Sequence, residues 1–500
     1  MEEFKVRREF KIPPILSKIW HDKELVKKIL ITLGIVIVYR LIAYVPLPGL
    51  NVNALINFFN NLARTQGGTL FGVMNIFGSG ALERLTILAL GLMPYISSCI
   101  IVQLLGAFIP FFKKYYVMGG QEGREKIVKS TYCLTITLSA IQAFFISVWL
   151  ENPSRFQGLS LVVSPGWGFR VTTVLSIVAG VLLLLWLAKL INNYGIGNGI
   201  AILVVFGILS RVPTVVYQLV VLHKNYQLTG NRLILLLLVL VASVAVIWLI
   251  TKSTQKIPIK YNNAKTKNSI TLRFSWAGKV PLGFAQSIIL FPATIAALTP
   301  SLNNFATQFS KGGGLYTILH SILVVFFTYF YIAVVFRPRE IANNMRRYNC
   351  QIENVAAEKE AEKYLDAKMT KNTMITALFL IAVALLPGLY GKVFGLPYLV
   401  IAFIGGASLL IIIGVFYDLK CQIESHFAMK ESNKGEWGIA YIAFDEIEAE
   451  IKKGFLETKE IPCVIEPLRF TWGMPIRTAV DQYRLYTPIG KREGLKKLLG

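Results

Sequence analysis

An all-α polytopic membrane protein, ending in a small C-terminal α+β cytoplasmic domain, is the fold class this sequence predicts, on three observations. Of its 500 residues 54% are hydrophobic and the mean hydropathy is +0.55, above the ordinary range of soluble domains. The apolar residues gather into runs of about twenty, the length an α-helix needs to cross roughly 30 Å of hydrocarbon. After about residue 434 the runs stop, and strand-like alternation and helical amphipathicity replace them.

Residues 1–25 form a basic, polar N-terminal segment, in which WHDKELVKKIL predicts an amphipathic helix lying on the membrane surface. The first apolar run is too long for an h-region, so no cleavable signal is expected. The first span, Lys27 to Tyr44, stops at VPLPGL, where two prolines and Gly49 cannot continue a helix. A polar loop at 51–69 precedes Leu70 to Leu105, LFGVMNIFGSGALERLTILALGLMPYISSCIIVQLL. Its first part, Leu70 to Gly80, carries glycines at 72, 78 and 80 and reaches only about half of the hydrocarbon core. After Glu83 and Arg84 comes the second span, about twenty uncharged residues interrupted only by Pro94. A half-length segment joined to a full one implies backbone that dips inward. Lipid tolerates this only where the backbone is buried in protein or lines a water-filled cavity. The stretch points to a pore.

Spans three and four cover about 130–150 and 168–190, NNYGIGNGIAILVVF opens the fifth, and the sixth fills about 232–251. Thr251 to Lys279 is a polar excursion with seven basic residues and no acid, and IPIKYNNAKTKNSITLRF predicts a projecting hairpin. Span seven, 281–298, contains Pro281 and Pro292; span eight, 315–336, runs into FRPREIANNMRRY and a charged segment to Lys371. Spans nine and ten are expected at 373–389 and 396–418. Ten spans put both ends on one side. The loops after spans two, six and eight, with the N-terminus, hold nearly all the loop lysine and arginine, so both termini are expected in the cytoplasm. That asymmetry accounts for most of the net charge of +24, and the basic face it creates attracts anionic lipids, RNA or acidic proteins.

From Trp437 to Gly500, GIAYIAF alternates like a strand and DEIEAEIKKGFLETK reads as a helix starting at Asp445. IPCVIEP and DQYRLYTP follow as strands and KREGLKKLLG as a closing helix, a βαββα order that suits a small α+β domain. The expected division is therefore a 1–25 cytoplasmic segment, a 26–425 ten-helix domain and a 434–500 α+β domain.

Enzymatic chemistry is not expected, since no GxSxG, no HExxH and no carboxylate pair lies within a span. GGQEGREK lacks the GK[ST] end of a phosphate loop, and GIGNG sits between two apolar helices, where it reads as a tight turn. Cys99, Cys133, Cys350, Cys421 and Cys463 have no CxxC spacing, and His21, His223, His320 and His426 lie far apart. No disulfide framework, metal or other cofactor is expected. Lys189 and Arg40 lie near span ends, where long cationic side chains snorkel.

Several long words resemble the SecY family of bacterial protein-conducting channels. FGSGALERLTILALGLMPYIS followed by IVQLL is similar to the family's plug and second span. VPLPG follows span one, GQEGREK lies in the first basic loop, and GIGNGI opens span five. SIILFPATIA lies in span seven, FFTYFYIAVVFRPREIANNM ends span eight, and GGASLLIIIGVFYDL forms span ten, so the resemblance covers about 20–425 in order. It implies two pseudo-symmetric halves of five helices around an hourglass pore, with a lateral gate between spans two and seven and no catalytic site. It implies a central channel subunit of the bacterial cytoplasmic (inner) membrane that passes unfolded, signal-peptide-bearing polypeptides and releases membrane segments laterally. SecE-like and SecG-like subunits, the SecA ATPase or the ribosome, and anionic lipids are the implied partners.

Carried over position by position, the pore ring consists of Leu92 and Ile96 in span two, Ile200 and Val204 in span five, and Ile411 in span ten. The sixth position falls on Gly283, which supplies no side chain and leaves Leu282 to compensate. A ring of aliphatic side chains gates by dewetting. The plug would comprise Leu70, Phe71, Gly72, Asn75, Phe77, Gly78 and Gly80, and partner docking would use Lys256, Lys260, Lys265, Lys267, Arg337, Arg339, Arg346 and Arg347. Two departures bear on the motor interface. QIENVAAEKEAEKYL replaces a GIRPG-like word whose arginine serves SecA coupling in the family, and the 252–279 hairpin is shortened. The C-terminal EIEAEI…IPC pattern is similar to a small bacterial domain family assigned to signal transduction. Other readings stand beside the channel: a divergent or accessory copy, a membrane insertase or scaffold without a through-pore, and a small-solute secondary transporter. The transporter needs a polar midplane site at broken helices, which these spans barely supply.

Overall fold

The computed structural model describes residues 19–51, 85–109, 120–153, 160–261, 268–273, 281–285, 314–353, 355, 358–431, 437–443, 446–459, 461–468 and 482–488. The expected plug, Leu70 to Gly80, lies outside the described residues, as do Lys265, Lys267, most of span seven and the expected closing helix.

In hydrocarbon every backbone N–H and C=O must be satisfied within the protein, so the apolar runs fold as helices. Span one is α1 (Lys23–Ile42), span two α2 (Met93–Phe108), span three α3 (Gly120–Leu150) and span four α4 (Trp167–Tyr194). Span five is α5 (Gly199–Leu209) continued by α6 (Val212–Lys224), and span six is α7 (Gly230–Lys252). A hairpin follows, β1 (Thr254–Tyr261) and β2 (Asn268–Arg273). Then come α8 (Gly314–Val335), α9 (Pro338–Arg347), β3 (Cys350–Ile352), α10 (Glu358–Phe394), α11 (Tyr398–Ile404) and α12 (Gly406–Glu431). The chain closes with β4 (Trp437–Ala443), α13 (Glu446–Thr458), β5 (Val464–Leu468) and β6 (Gln482–Pro488). Among the described residues seven helices are long and apolar enough to cross a membrane.

Three expectations are corrected, and one element is new. WHDKELVKKIL is not a separate surface helix: Asp22 caps α1 by accepting from the N–H groups of Glu24 and Leu25, so KELVKKIL forms the first turns of the span itself. Span two does not begin helically after Arg84. Residues 85–92 are irregular and almost wholly buried, and the helix starts at Met93 with Pro94 in its first turn, where a missing N–H breaks no bond. Span ten is interrupted at Gly405, and its second half runs on to Glu431, well past 418. Finally, part of the acidic word after span eight becomes a strand. Gln351 faces out between buried Cys350 and Ile352, and β3 pairs antiparallel with β1.

The sheet order β2-β1-β3 gives the hairpin a third strand. Ile257, Ile259 and Tyr261 alternate onto one face with Ile270, Leu272, Cys350 and Ile352, all buried, while Lys256 and Lys260 point away. The C-terminal unit is a second sheet, β4-β6-β5, covered by α13 around Ala443, Leu456, Cys463 and Leu485.

The two ends of the membrane region meet at Asp22. Its carboxylate lies 3.1 Å from His426 Nε2 and accepts from Lys430 Nζ at 3.0 Å, both on the tail of α12. Burial alone raises the Asp22 pKa, but the bonds from Lys430 and His426 outweigh it and hold the carboxyl at about 2. A depressed folded value means that the stabilisation is complete above the ordinary 3.8 and drains as pH falls towards about 2. Asp22→Ala, which removes cap and ties together, is expected to destabilise the detergent-solubilised protein by about 1–2 kcal/mol. Asp22→Asn, which keeps a capping oxygen, should lose less, and its melting curve should lack the wild-type component that titrates between about pH 4 and 2.

Candidate channel constriction and basic loops

The carried-over ring positions lie on three helices. Leu92 is the N-cap of α2, and Ile96 lies one turn further on. Ile200 and Val204 lie one turn apart near the start of α5, and Ile411 in the second turn of α12. All five are at most 6% exposed and belong to one continuous apolar cluster. Gly283 lies in a short helical piece, 281–285, and its neighbours Leu282 and Phe284 are buried in the same cluster. Leu282 thus supplies apolar volume beside a residue that has no side chain.

The approach to this cluster on α2 is not helical. Residues 85–92 keep their backbone bonds by pairing with the chain after span one: Leu47 N–H donates to Leu85 O (2.9 Å) and Ile87 N–H to Val45 O (3.1 Å). Within the stretch, Ala89 donates to Thr86 O and Gly91 to Leu88 O. Irregular backbone is thereby tolerated inside the protein.

The turn that begins α5 is held by side chains from three other helices. Thr32 of α1 accepts from Ile196 N–H (2.9 Å), Asn192 of α4 from Gly199 N–H (2.6 Å) and Gln422 of α12 from Gly197 N–H (2.9 Å). Asn198 caps the helix by accepting from Ile200 and Ala201. Gly197 has a φ of +84°, a conformation that side chains disfavour. A Cβ on Gly199 would overlap the Ala188 carbonyl oxygen, so α5 touches α4 backbone to backbone. The word GIGNG marks a tight turn in the sequence but not what holds it. The available signal was the set of polar side chains in neighbouring helices, Thr32, Asn192 and Gln422.

The expected docking residues share the basic loops without converging on one point. Lys256 is exposed on β1, and Lys260 bridges to Glu353 at 2.6 Å, next to β3. Arg337 pairs with Glu340 at 2.7 Å at the start of α9. Arg339 is exposed there, and Arg346 and Arg347 are exposed in the last turn, where cations suit the helix dipole. Ile341, Ala342 and Met345 form the buried face of the same helix. Among the described residues no group of three His, Cys, Asp or Glu could hold a metal.

A family model described as SecY matches residues 86–420. The chain belongs to the SecY family. The protein translocase subunit SecY of Aquifex aeolicus is 33% identical over 83% of this chain and 97% of its own length. That of Thermotoga maritima is 34% identical over 85% and 95%. Among solved structures, one described as a protein conducting channel shares the fold with a TM-score of 0.56 at 15% identity, covering 84% of this chain and 97% of its own. This SecY-family chain is therefore a multi-pass protein of the bacterial membrane, and the C-terminal unit lies beyond the family match.

Gly199→Val is expected to prevent normal assembly, because the added side chain must displace α5 from the α4 backbone. Limited proteolysis of membrane-inserted protein checks this: the variant should be cut in the 190–200 region where the wild type is resistant. Asn198→Ala, which removes only the cap, should lower the melting temperature by the equivalent of about 1 kcal/mol and leave the digest unchanged.

Proposed function

We propose that the chain is the channel-forming subunit of a Sec-type protein translocase in a bacterial cytoplasmic membrane, with no chemistry of its own. It passes unfolded, signal-peptide-bearing polypeptides across and releases membrane segments laterally. The observation that carries this reading is the SecY-family match, in a chain whose Leu92, Ile96, Ile200, Val204 and Ile411, on three separate helices, are all buried aliphatic side chains of the main apolar core. An aliphatic constriction blocks water and ions without charge and yields to a chain that displaces its side chains. In this reading Gly283 leaves the ring one side chain short, with Leu282 beside it, and the segment Leu70 to Gly80 is the plug.

Both termini lie in the cytoplasm in this reading, supported by the loop lysine and arginine, and the segments 1–25, 26–425 and 434–500 are the units of the chain. The loops bearing Lys256, Lys260, Arg339, Arg346 and Arg347 form the face that SecA or a ribosome approaches, beside SecE-like and SecG-like subunits and anionic lipid. A second reading, a divergent or accessory copy that inserts membrane proteins, is favoured by one observation: α13 of the C-terminal unit packs against β2 and α9 of those loops.

Photocrosslinking from position 96 to a stalled, radiolabelled secretory chain tests the channel. Leu237, exposed on α7, is the lipid-facing control. A strong crosslink from 96 and none from 237 is the expected result; no crosslink at 96, with the protein folded and partners present, overturns the pore assignment. Export of a wholly hydrophilic chain separates the channel from an insertase.

A further inference from the structure

The C-terminal unit is seated on the channel's own basic loops. Ile447 and Ile451 of α13 are buried in the same cluster as Ile257, Ile259, Tyr261, Ile270 and Leu272 of the hairpin. Tyr261 Oη donates to the Ile451 carbonyl (2.8 Å), and Thr271 donates to Glu450 through both its N–H (2.7 Å) and its hydroxyl. Phe455 packs on Tyr348 of the α9 end, ring centroids 5.1 Å apart. The fit is close at Gly454, where a Cβ would overlap Tyr261 Oη and stand 2.8 Å from Asn268 Nδ2. Without α13 part of the hairpin's apolar face would meet water, so this surface is built to be covered.

A second contact links the same unit to the pore region. On the tail of α12, Ser425 Oγ donates to the Ile465 carbonyl (2.9 Å) and Gln422 Nε2 to the Pro467 carbonyl (2.9 Å), both on β5. The other end of the Gln422 amide accepts from Gly197 N–H, in the turn that begins α5. One side chain therefore joins the C-terminal unit to the helix that carries Ile200 and Val204.

We propose that the C-terminal unit of β4, α13, β5 and β6 acts as an intramolecular cover: docked, it masks the apolar face of β1 and β2 and, through Gln422, holds the turn at the start of α5; undocked, it releases both. Gln422 is a positioning residue, since a free amide at 422 no longer has its orientation fixed from both ends. A cytoplasmic partner arriving at these loops meets the outward lysine face of the hairpin or displaces α13 to reach the inner one. The consequence for translocation rests on the channel function proposed above, whereas docking is read with no translocating chain present, so the two fail separately.

The test uses the full chain in lipid nanodiscs and two buried thiols. Cys350, on β3, is 2% exposed and its pKa is pushed up to about 12 by burial, with a bond to Tyr261 opposing. Cys463 lies in the core of the C-terminal unit itself, and burial pushes it up to about 12 as well. Alkylation is followed by mass spectrometry, and backbone hydrogen exchange is followed over 197–201. Gly454→Leu, which wedges α13 off Tyr261, is expected to raise the Cys350 alkylation rate at least about tenfold and leave Cys463 unchanged. Exchange over 197–201 should rise about fivefold, the size of one lost hydrogen bond. Gln422→Leu should speed exchange there while Cys350 stays protected. If Gly454→Leu also exposes Cys463, the unit has unfolded, and the deciding variant is then Tyr261→Phe with Glu450→Ala. That pair removes the bonds without a steric wedge and should expose Cys350 alone. Protection of Cys350 in that variant overturns the docking, and an exposed Cys350 with unchanged exchange over 197–201 overturns the coupling.

Discussion

Among the described residues the membrane region is organised by one constraint, that a backbone polar group away from water must find a partner within the protein. Long apolar helices meet it locally. Where the chain departs from helix, it does so against other backbone: residues 85–92 pair with Val45 and Leu47, and the step between α5 and α6 keeps its bonds from Ser210 to Phe206 and from Arg211 to Ile208. The turn before α5 instead borrows side chains, one from each of α1, α4 and α12. Irregular backbone is thus found where the carried-over pore residues are, because that is where neighbouring elements can supply partners.

Around the basic loops the organising force is burial of apolar surface. The hairpin alternates with period two, so one face is lysine-bearing and the other apolar, and the apolar face requires cover. Strand β3 extends that face, and helices α9 and α13, from two parts of the sequence, pack around it. The partly exposed ion pairs there, Lys260 with Glu353 and Arg337 with Glu340, add little stability of their own, since solvent screens them. They orient charge on the loop surface.

A SecY-family chain with an extra unit seated on its loops differs from the family pattern in where its loop surface is committed. The acidic word after span eight, which lacks the family's arginine, contributes a strand to the hairpin sheet. The shortened hairpin is held between that strand and α13. These departures adjoin one another in space, and the carried-over ring positions lie on other elements, α2, α5 and α12.

By itself the sequence determined the apolar spans, the family, the C-terminal strands and helix, and the aliphatic character of Leu92, Ile96, Ile200, Val204 and Ile411. These are properties of composition, periodicity and long words, which local chemistry writes directly into the chain. Tertiary structure alone decided that α2 begins at Met93, that β3 joins β1, that Asp22 meets His426 and Lys430, and that Gln422 touches both Gly197 and Pro467. Each of these depends on residues distant in sequence, and the partner is selected by which surfaces the packed helices leave adjacent. A lone glutamine near the end of a helix carries no mark of the two backbones it will join.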